Sequence, residues 1–361
     1  MMQIPAIELG LELKVFAEGE NSSAALSATS AGDYTNFDEL IAFAKTVDVI
    51  TFDHEHVPVE LLQRLESLGH SVQPGPSALM HAQNKLVMRR RLEELGLPQP
   101  IWQAATSTEQ VQSFLLANGP KIVVKTPIGG YDGKGVRVIE SVDEVSDWIE
   151  NLPSYGGELL LEEKVEFTRE LAQLSARNPS GEFKAWPVVE TRQQGGVCSE
   201  VIAPAPKSDR LATFDIARTI SEGLGVTGVM AVEMFETSGG KVLINELAMR
   251  PHNSGHFSIE GSKTSQFEQH LRAVLDLPLG ETGLTAESAV MINLLGVDDQ
   301  NDFVSRYAIA MEKFPSGKFH TYEKAPRKGR KMGHITLIGE DAEALIEMGL
   351  QARAALYGSD A

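Results

Sequence analysis

Two lysines and a dense group of glycines form the first pattern in this sequence that points to chemistry. Lys125 ends a β-branched run, and four glycines follow within the seven residues 129–135, together with a second lysine, Lys134. Glycines have no side chain that could pack in a core. A dense group of them is instead typical of a loop whose backbone N–H groups can close on an anion. Because 136–139 starts a new strand, the unit differs from the strand, loop, helix of Walker and dinucleotide sites. The sequence predicts an anion-binding hairpin, with a flexible hairpin as the alternative.

Two glutamates on a second hairpin are the candidates for holding a metal ion. Residues 228–247 read as two strands joined by a Gly-Gly turn. If the turn is 237–240, Glu233 lies opposite Ile244, and Glu246 points to the same face as Glu233. Paired acids among apolar neighbours repel each other unless a cation lies between them, and Mg²⁺ takes carboxylate oxygens when it also binds phosphates. We expect a magnesium site here, with a solvated sheet face as the alternative.

A polar, irregular loop follows the second glutamate directly. Residues 248–256 contain an arginine, an asparagine, a serine and two histidines, which is more than a connection needs. Histidine titrates near neutrality, so His252 and His256 are candidates for orienting a substrate or moving a proton. Two ordinary loop histidines are the alternative.

Two further loops carry charged side chains. Residues 53–56 alternate acid and histidine at the carboxyl end of a strand, where ligands bind in open α/β sheets. Neighbours on an extended segment point to opposite sides, which favours Glu55 as a hydrogen-bond acceptor for a substrate over a metal site, with a solvated loop as the alternative. Residues 327–334 form a basic loop in an acidic protein, which is either a local phosphate clamp or a solvated turn.

The composition limits the class of protein. With 361 residues the chain is long enough for two or three domains, and its net charge of −18 argues against a nucleic-acid surface. The single cysteine, Cys198, excludes an internal disulfide and suits the reducing cytosol. No apolar run approaches the ~18 residues of a membrane span, and residues 1–11 lack the features of a signal peptide. We therefore expect a cytoplasmic protein.

The elements that must position these residues fall into three parts. In residues 1–76 strands alternate with helices, which predicts a doubly wound parallel sheet of α/β type. Because the chain opens within a helix, we expect the first strand of this sheet to lie upstream of Met1. Residues 77–278 read as an α+β domain with mostly antiparallel strands, and residues 279–361 as a small β-rich C-terminal domain.

The order of these motifs resembles the ATP-grasp superfamily and, within it, the N5-carboxyaminoimidazole ribonucleotide synthetase family of purine biosynthesis. The match covers essentially the whole chain, and the Gly-Tyr-Asp-Gly-Lys-Gly and His-Asn-Ser-Gly-His strings are specific to that family. Family members open with a strand and a glycine-rich turn, and we expect this sequence to start just after that turn. The segments that carry the resemblance are 51–57, Lys125 with 129–135, 245–256 and 331–334.

The resemblance implies an ATP-grasp fold and an ATP-dependent ligase that forms a carbon–nitrogen bond. ATP, bicarbonate and 5-aminoimidazole ribonucleotide would give the N5-carboxylated ribonucleotide, ADP and phosphate through carboxyphosphate. The resemblance also implies two Mg²⁺ ions, with Mn²⁺ as a substitute, and ATP as the co-substrate. A homodimer is expected, with neither nucleic acid nor a membrane as partner.

The resemblance assigns four sets of residues. The ATP-binding set is Lys85, Lys125, Gly130, Tyr131, Asp132, Gly133, Lys134, Gly135, Val136, Glu162, Glu163, Lys164, Val165, Glu170, Glu190, Asn245 and Glu246. The substrate-binding set is Glu55, Tyr131, Asn253, Ser254, Arg330 and Lys331. The catalytic set is Lys134, Arg250, His252 and His256, and the metal ligands are Glu233 and Glu246.

Two other functions stay open at this point. Another ATP-grasp ligase, such as a formate-dependent glycinamide ribonucleotide transformylase or a biotin carboxylase, shares the fold. The His-Asn-Ser-Gly-His loop and the short C-terminal part argue against both. A catalytically impaired nucleotide-binding protein would bind ATP without turnover. ADP release that requires bicarbonate and aminoimidazole ribonucleotide separates these functions.

Overall fold

A computed structural model of the protein describes residues 1–19, 22–23, 27–130, 135–297, 303–325 and 327–358. Four of the predicted site residues, Tyr131, Asp132, Gly133 and Lys134, therefore lie outside the described residues. Within the described ranges, no helix is long and apolar enough to cross a membrane.

The N-terminal part is an α/β unit whose strands pair in parallel. Its elements are α1 (Gln3–Glu8), β1 (Val15–Ala17), β2 (Ala28–Ala31), α2 (Phe37–Ala44), β3 (Val49–Ile50), α3 (Val59–Ser67) and β4 (Ser71–Val72). β1 pairs with β2 and β3 with β4, in both cases parallel. The parallel α/β type predicted for this part is therefore confirmed. β2 was not predicted, because the sequence Ala-Thr-Ser-Ala lacks the apolar residues of a strand signal.

A small antiparallel sheet carries the glycine loop. Its elements and flanking helices are α4 (Pro76–Gln83), α5 (Lys85–Glu94), β5 (Trp102–Ala105), α6 (Thr108–Asn118), β6 (Ile122–Lys125), β7 (Val136–Ile139), α7 (Ser146–Glu150) and β8 (Leu159–Glu163). The strand order is β5–β8–β6–β7. β6 pairs antiparallel with β7, so the predicted strand, loop, strand arrangement is confirmed and Lys125 stands at the root of the loop.

A large antiparallel sheet, the central sheet, continues into the C-terminal part. Its strands are β9 (Phe167–Arg177), β10 (Phe183–Ala185), β11 (Val189–Gln194), β12 (Val197–Ala203), β13 (Gly228–Thr237), β14 (Val242–Ala248), β15 (Ser288–Leu295), β16 (Lys318–Thr321) and β17 (Lys331–Gly339). The order is β14–β13–β9–β11–β12–β15–β17–β16, with β10 beside β9. Because β12 pairs with β15, the C-terminal strands extend the same sheet and bring Lys331 toward the central strands.

Helices cover this sheet, and the N-terminal unit packs on it through a shared core. The helices are α8 (Arg210–Leu224), α9 (Ser258–Gly261), α10 (Gln266–Val274), α11 (Phe303–Lys313) and α12 (Ala342–Tyr357). Buried Leu62 of α3 and Leu79 of α4 belong to one hydrophobic cluster with Met230 and Ile244 of the sheet. Removing these apolar surfaces from water fixes the first unit against the β13–β14 hairpin, which carries Glu233 and Glu246.

Candidate active site

The two predicted metal-binding glutamates stand directly opposite each other on β13 and β14. The register pairs Glu233 with Glu246 and Met234 with Ile244, so a bulge leaves Asn245 as an extra residue. The expected pairing of Glu233 with Ile244 is therefore wrong. The turn is shorter than expected because Thr237 continues β13 and bonds to Lys241. The two carboxylates share one face, as predicted, and are closer than the diagonal neighbours that the sequence implied.

Each glutamate has a cationic or imidazole partner. Glu246 Oε1 lies 3.3 Å from Lys85 Nζ, and Glu233 Oε1 lies 3.1 Å from His252 Nε2. Burial alone would raise the pKa of Glu233. The hydrogen bond from His252, together with the charges of His252, Lys331 and Arg250, outweighs it and lowers that pKa. Glu233 is thus held as a carboxylate near neutral pH, which is the form that a cation binds.

The bulge at Asn245 is held open by a fully buried arginine. Arg89, on α5, donates to the carbonyls of Ile244 (2.8 Å) and Asn245 (2.9 Å) and to Glu162 Oε1 (2.6 Å). Glu162 Oε2 in turn lies 2.8 Å from Lys125 Nζ, which also donates to Asn245 Oδ1 at 2.9 Å. One network therefore sets the position of Lys125 and the side chain of Asn245 together.

Lys85 links Glu246 to the glycine loop. It opens α5, where Asn84 caps the helix by accepting hydrogen bonds from the backbone of Leu86 and Val87. Its Nζ lies 3.5 Å from the carbonyl of Gly130, and its backbone N–H donates to Pro127. At the far root of the loop, Gly135 has a positive φ of 72° and a Cβ there would overlap Thr126. Both ends of the loop are thus fixed by backbone geometry.

The charged side chains of the predicted adenine-facing segment have partners within the protein. Glu162 is buried and forms ion pairs with Arg89 and Lys125. Glu163 accepts a hydrogen bond from the backbone of Ile101 at 2.8 Å. Lys164 pairs with the exposed Glu166. The carboxylates of Glu162 and Glu163 are therefore engaged within the protein, and the contact of this segment with adenine stays a prediction.

Two more acids of the predicted ATP-binding set lie on neighbouring strands, β9 and β11, of the central sheet. Glu170 Oε2 accepts from Gln193 at 2.8 Å. Burial raises the pKa of Glu170, and the nearby negative charge of Glu233 adds to this rise. Glu190 pairs with Arg169 at 3.4 Å and with Arg192 at 3.0 Å. Glu170 is thus the acid of this pair whose charge interacts with Glu233.

Glu55 reaches the site from the N-terminal unit. Its carboxylate accepts from Arg250 Nε at 2.6 Å and from the backbone of Met249 at 3.1 Å. Gln83 holds the loop of Glu55 by donating to the carbonyls of Glu55 and Val57. Glu55 therefore orients Arg250 at the end of β14, beside the place predicted for the substrate.

The Arg-Pro-His-Asn-Ser-Gly-His loop is ordered by internal hydrogen bonds. Ser254 Oγ lies 2.8 Å from His252 Nδ1. The amides of Asn253 and Asn293 bond to each other reciprocally, at 2.7 and 3.1 Å. His256 is buried, and its Nδ1 lies 2.8 Å from Gln266 Nε2. Asn253 and Ser254, expected to bind the substrate, thus also bind the protein, whereas His252 faces Glu233.

Of the two residues predicted from the basic loop, Lys331 lies near Glu233 and Arg330 does not contact it. Lys331 lies close enough for its charge to lower the pKa of Glu233, and it also opposes the burial that raises the pKa of Cys198 to about 12. Arg330 donates instead to the carbonyl of Ala325 at 3.0 Å. Among the described residues, no group of three or more His, Cys, Asp or Glu is arranged to hold a metal ion.

Arg89 and Gln266 are structural determinants of the site that sequence reasoning missed. Arg89 has a sequence signal, because it occupies the buried face of α5 between Leu86 and Leu92. A charge on an apolar helix face indicates a buried ionic partner. Gln266 has no comparable signal.

Protein-family models match the chain over three consecutive ranges. The ribonucleotide synthetase preATP-grasp domain matches residues 1–83, the ATP-grasp domain residues 90–267, and the phosphoribosylaminoimidazole carboxylase C-terminal domain residues 289–348. These matches confirm the ATP-grasp fold that the motifs imply.

Whole-chain comparisons give the same result. The N5-carboxyaminoimidazole ribonucleotide synthase of Corynebacterium ammoniagenes is 45% identical over 354 residues, which cover 95% of this chain and 86% of the relative. The crystal structure of N5-carboxyaminoimidazole ribonucleotide synthetase from Thermus thermophilus superposes with a TM-score of 0.85 at 34% identity, covering 98% of this chain and 94% of that chain. The crystal structure of N5-carboxyaminoimidazole synthase from Aspergillus clavatus, solved with ADP and 5-aminoimidazole ribonucleotide, superposes with a TM-score of 0.87 at 27% identity. The match covers 99% of this chain and 95% of that chain.

Proposed function

The chain belongs to the N5-carboxyaminoimidazole ribonucleotide synthase family, and we propose that it carboxylates 5-aminoimidazole ribonucleotide at the expense of ATP, in purine biosynthesis. The observation that carries the proposal is the pairing of Glu233 with Glu246 between two groups of cations. Lys85 and Lys125 lie on the side of the glycine loop, and Arg250 and Lys331 on the side of the N- and C-terminal parts.

The lysine side of the site suits a triphosphate. Lys85 and Lys125 are fixed at the root of the glycine loop, where Lys85 donates to the carbonyl of Gly130 and Lys125 to Asn245. The positive charge of two lysines attracts phosphate oxygens. The roles of Tyr131, Asp132, Gly133 and Lys134 in closing over the γ-phosphate remain predictions.

The facing carboxylates fit Mg²⁺, the cofactor expected for this family. Mg²⁺ is bound by one or two carboxylates together with substrate phosphates, and Glu233 and Glu246 supply that donor set. When bound, the ion neutralises charge on the phosphates and favours nucleophilic attack on the terminal phosphorus. Mn²⁺, with similar ligand preferences, is proposed as a substitute.

The arginine side of the site suits bicarbonate and the aminoimidazole. Arg250, oriented by Glu55, and Lys331 provide positive charge beside Glu233, while His252 Nε2 faces the same carboxylate. A bicarbonate oxygen attacks the γ-phosphorus, and ADP leaves. The exocyclic amine then attacks the carboxyl carbon, phosphate leaves, and the amine loses a proton. The cations stabilise the negative charge that develops on the transferred oxygens.

A coupled assay of ADP release tests the proposal. We expect ADP to form only when ATP, bicarbonate and 5-aminoimidazole ribonucleotide are all present, with the N5-carboxylated product in equal amount. Release with formate and glycinamide ribonucleotide instead, or ATP binding without turnover for any substrate, would contradict it. A homodimer and a cytoplasmic location are proposed on the resemblance alone, and sedimentation equilibrium tests the first.

Glu246 gives the matched test of the acid pair. Glu246→Gln should abolish turnover, because it removes a carboxylate from the cation site while the β13–β14 hairpin keeps its backbone bonds. Glu158→Gln is the control, since Glu158 is similarly exposed and pairs with Arg90 of the same helix that carries Lys85. Wild-type rates in Glu246→Gln would remove Glu246 from the metal site.

A further inference from the structure

Gln266, the first residue of α10, makes three hydrogen bonds to the loop that contains His252 and His256. Its side chain is fully buried. Oε1 accepts from the backbone N–H of His252 at 2.8 Å, and Nε2 donates to the carbonyl of His252 at 2.7 Å. Nε2 also lies 2.8 Å from Nδ1 of His256. A single amide therefore contacts both candidate histidines.

These contacts determine which end of the amide faces each partner. A backbone N–H can only donate, so the atom that faces the His252 nitrogen is the amide oxygen, and the atom that faces the His252 carbonyl is the amide nitrogen. That nitrogen has no capacity to accept a hydrogen bond. Nδ1 of His256 must therefore accept, and His256 is the neutral imidazole that carries its proton on Nε2.

The surroundings of His256 favour the same neutral form. Burial and then the positive charges of neighbouring side chains lower the pKa of His256 well below its ordinary value. The titratable and charged groups around the ring are His252 and Arg250 on its own loop, His320 on β16, Lys331 and His334 on β17, and Tyr322 after β16. A second proton on this ring would add charge to a group of cations and meet the amide N–H of Gln266.

The loop is shaped to admit this amide. A Cβ on residue 255 would overlap the Gln266 side chain and Leu174, so the loop requires glycine there. Ser258 Oγ accepts from the backbone N–H of Gln266 at 2.9 Å and donates to the carbonyl of Gly255 at 2.6 Å. The helix N-terminus and the histidine loop are therefore built against each other at this residue.

We propose that Gln266 is a positioning residue of the reaction: it holds the backbone of His252 in place and fixes His256 in the neutral form with its proton on Nε2. Because His252 Nε2 lies 3.1 Å from Glu233, a shift of the His252 backbone moves the ring that contacts this acid. The effect on rate rests on the proposed function, whereas the protonation state of His256 does not.

Nitrogen-15 NMR of the whole protein tests the protonation state directly. We expect His256, assigned by the signal lost in His256→Gln, to show a nitrogen without a proton at Nδ1 and a protonated Nε2 at pH 7. A protonated Nδ1 in the wild-type protein overturns the proposal. This measurement needs no turnover, so it stands whether or not the proposed function does.

Gln266→Leu with Gln269→Leu as control tests the positioning. Gln269 lies on the same helix, is also fully buried, and makes two comparable backbone bonds to Gly280, at 2.8 and 2.9 Å. We expect Gln266→Leu to lower kcat by on the order of 100-fold with a smaller change in KM for ATP, as a small misplacement near the chemistry does. Gln269→Leu should stay within about threefold of wild type, since it leaves the histidine loop in place. Equal losses of kcat in the two variants overturn the proposal.

Discussion

Glu162→Gln should remove about 3 kcal/mol from the free energy of unfolding, because it leaves two buried cations without their counter-ion. Arg89 is 0% exposed and Lys125 is 5% exposed, and each bonds to one oxygen of this carboxylate. Burial alone would raise the pKa of Glu162, but the charges of Lys125 and Arg89 outweigh it and lower that pKa from 4.5 to about 2. At ~1.4 kcal/mol for each pH unit, this shift gives the same magnitude.

Urea unfolding followed by tryptophan fluorescence measures the effect on stability. Trp102, one of three tryptophans, lies on β5 directly opposite Glu162 and contributes to this signal. Glu158→Gln is the control, because Glu158 and Arg90 pair at 2.9 Å on the surface. An exposed pair contributes about 0–1 kcal/mol, so the control should change little.

The stabilisation by Glu162 also has a defined pH range. It is fully present above the unfolded-state pKa of 4.5 and is lost as pH falls toward the folded-state pKa of about 2, because only the unfolded chain takes up the proton in that interval. Glu162→Gln should lack this contribution and should raise KM for ATP, since Lys125 loses one of its two fixed partners. Equal destabilisation of Glu162→Gln and Glu158→Gln would refute the reasoning.

Three further predictions follow from single contacts. His270 is hydrogen-bonded to the Thr51 hydroxyl and to the backbone N–H of Val229, and burial lowers its pKa from 6.5 to about 4. Urea unfolding should therefore show a loss of up to ~3 kcal/mol between pH 6.5 and pH 4 that His270→Gln lacks. Gly255→Ala should abolish turnover in the ADP assay, whereas Gly239→Ala, whose Cβ has room, should not. Cys198, with its pKa raised by burial to about 12, should react with a thiol reagent at pH 8 more slowly in the folded protein than after unfolding in urea.

The sequence was informative wherever the structural rule is local. Lys125 and the glycines between β6 and β7 were predicted from the order strand, loop, strand, which the antiparallel pairing bears out. The shared face of Glu233 and Glu246 was predicted from side-chain alternation with a four-residue turn, and the observed shorter turn keeps that face only because of the bulge at Asn245. Their register did not follow, because the bulge at Asn245 depends on Arg89, whose hydrogen bonds come from 155 and 156 residues away in the chain.

The side chains that position the site were harder to predict. Gln266 and Gln269 are both buried glutamines near the start of one helix, and nothing in the sequence distinguishes the one that contacts the histidines. Likewise, Lys331 approaches Glu233 because β15 and β17 extend the central sheet, and a strand pairing of that range has no local signal. The candidate site residues could therefore be predicted from residue types, whereas the residues that position them are determined by tertiary contacts.

These supporting contacts bear on how an acidic protein binds several anions. In the described site the cations are held by protein oxygens: Lys85 by Glu246, Lys125 by Glu162 and Asn245, and Arg250 by Glu55. Under the proposed function, an arriving phosphate therefore meets cations that are already paired and oriented, which lowers the cost of positioning them. The net charge of −18 then repels anions only at long range, where salt screens it, while recognition depends on local pairs.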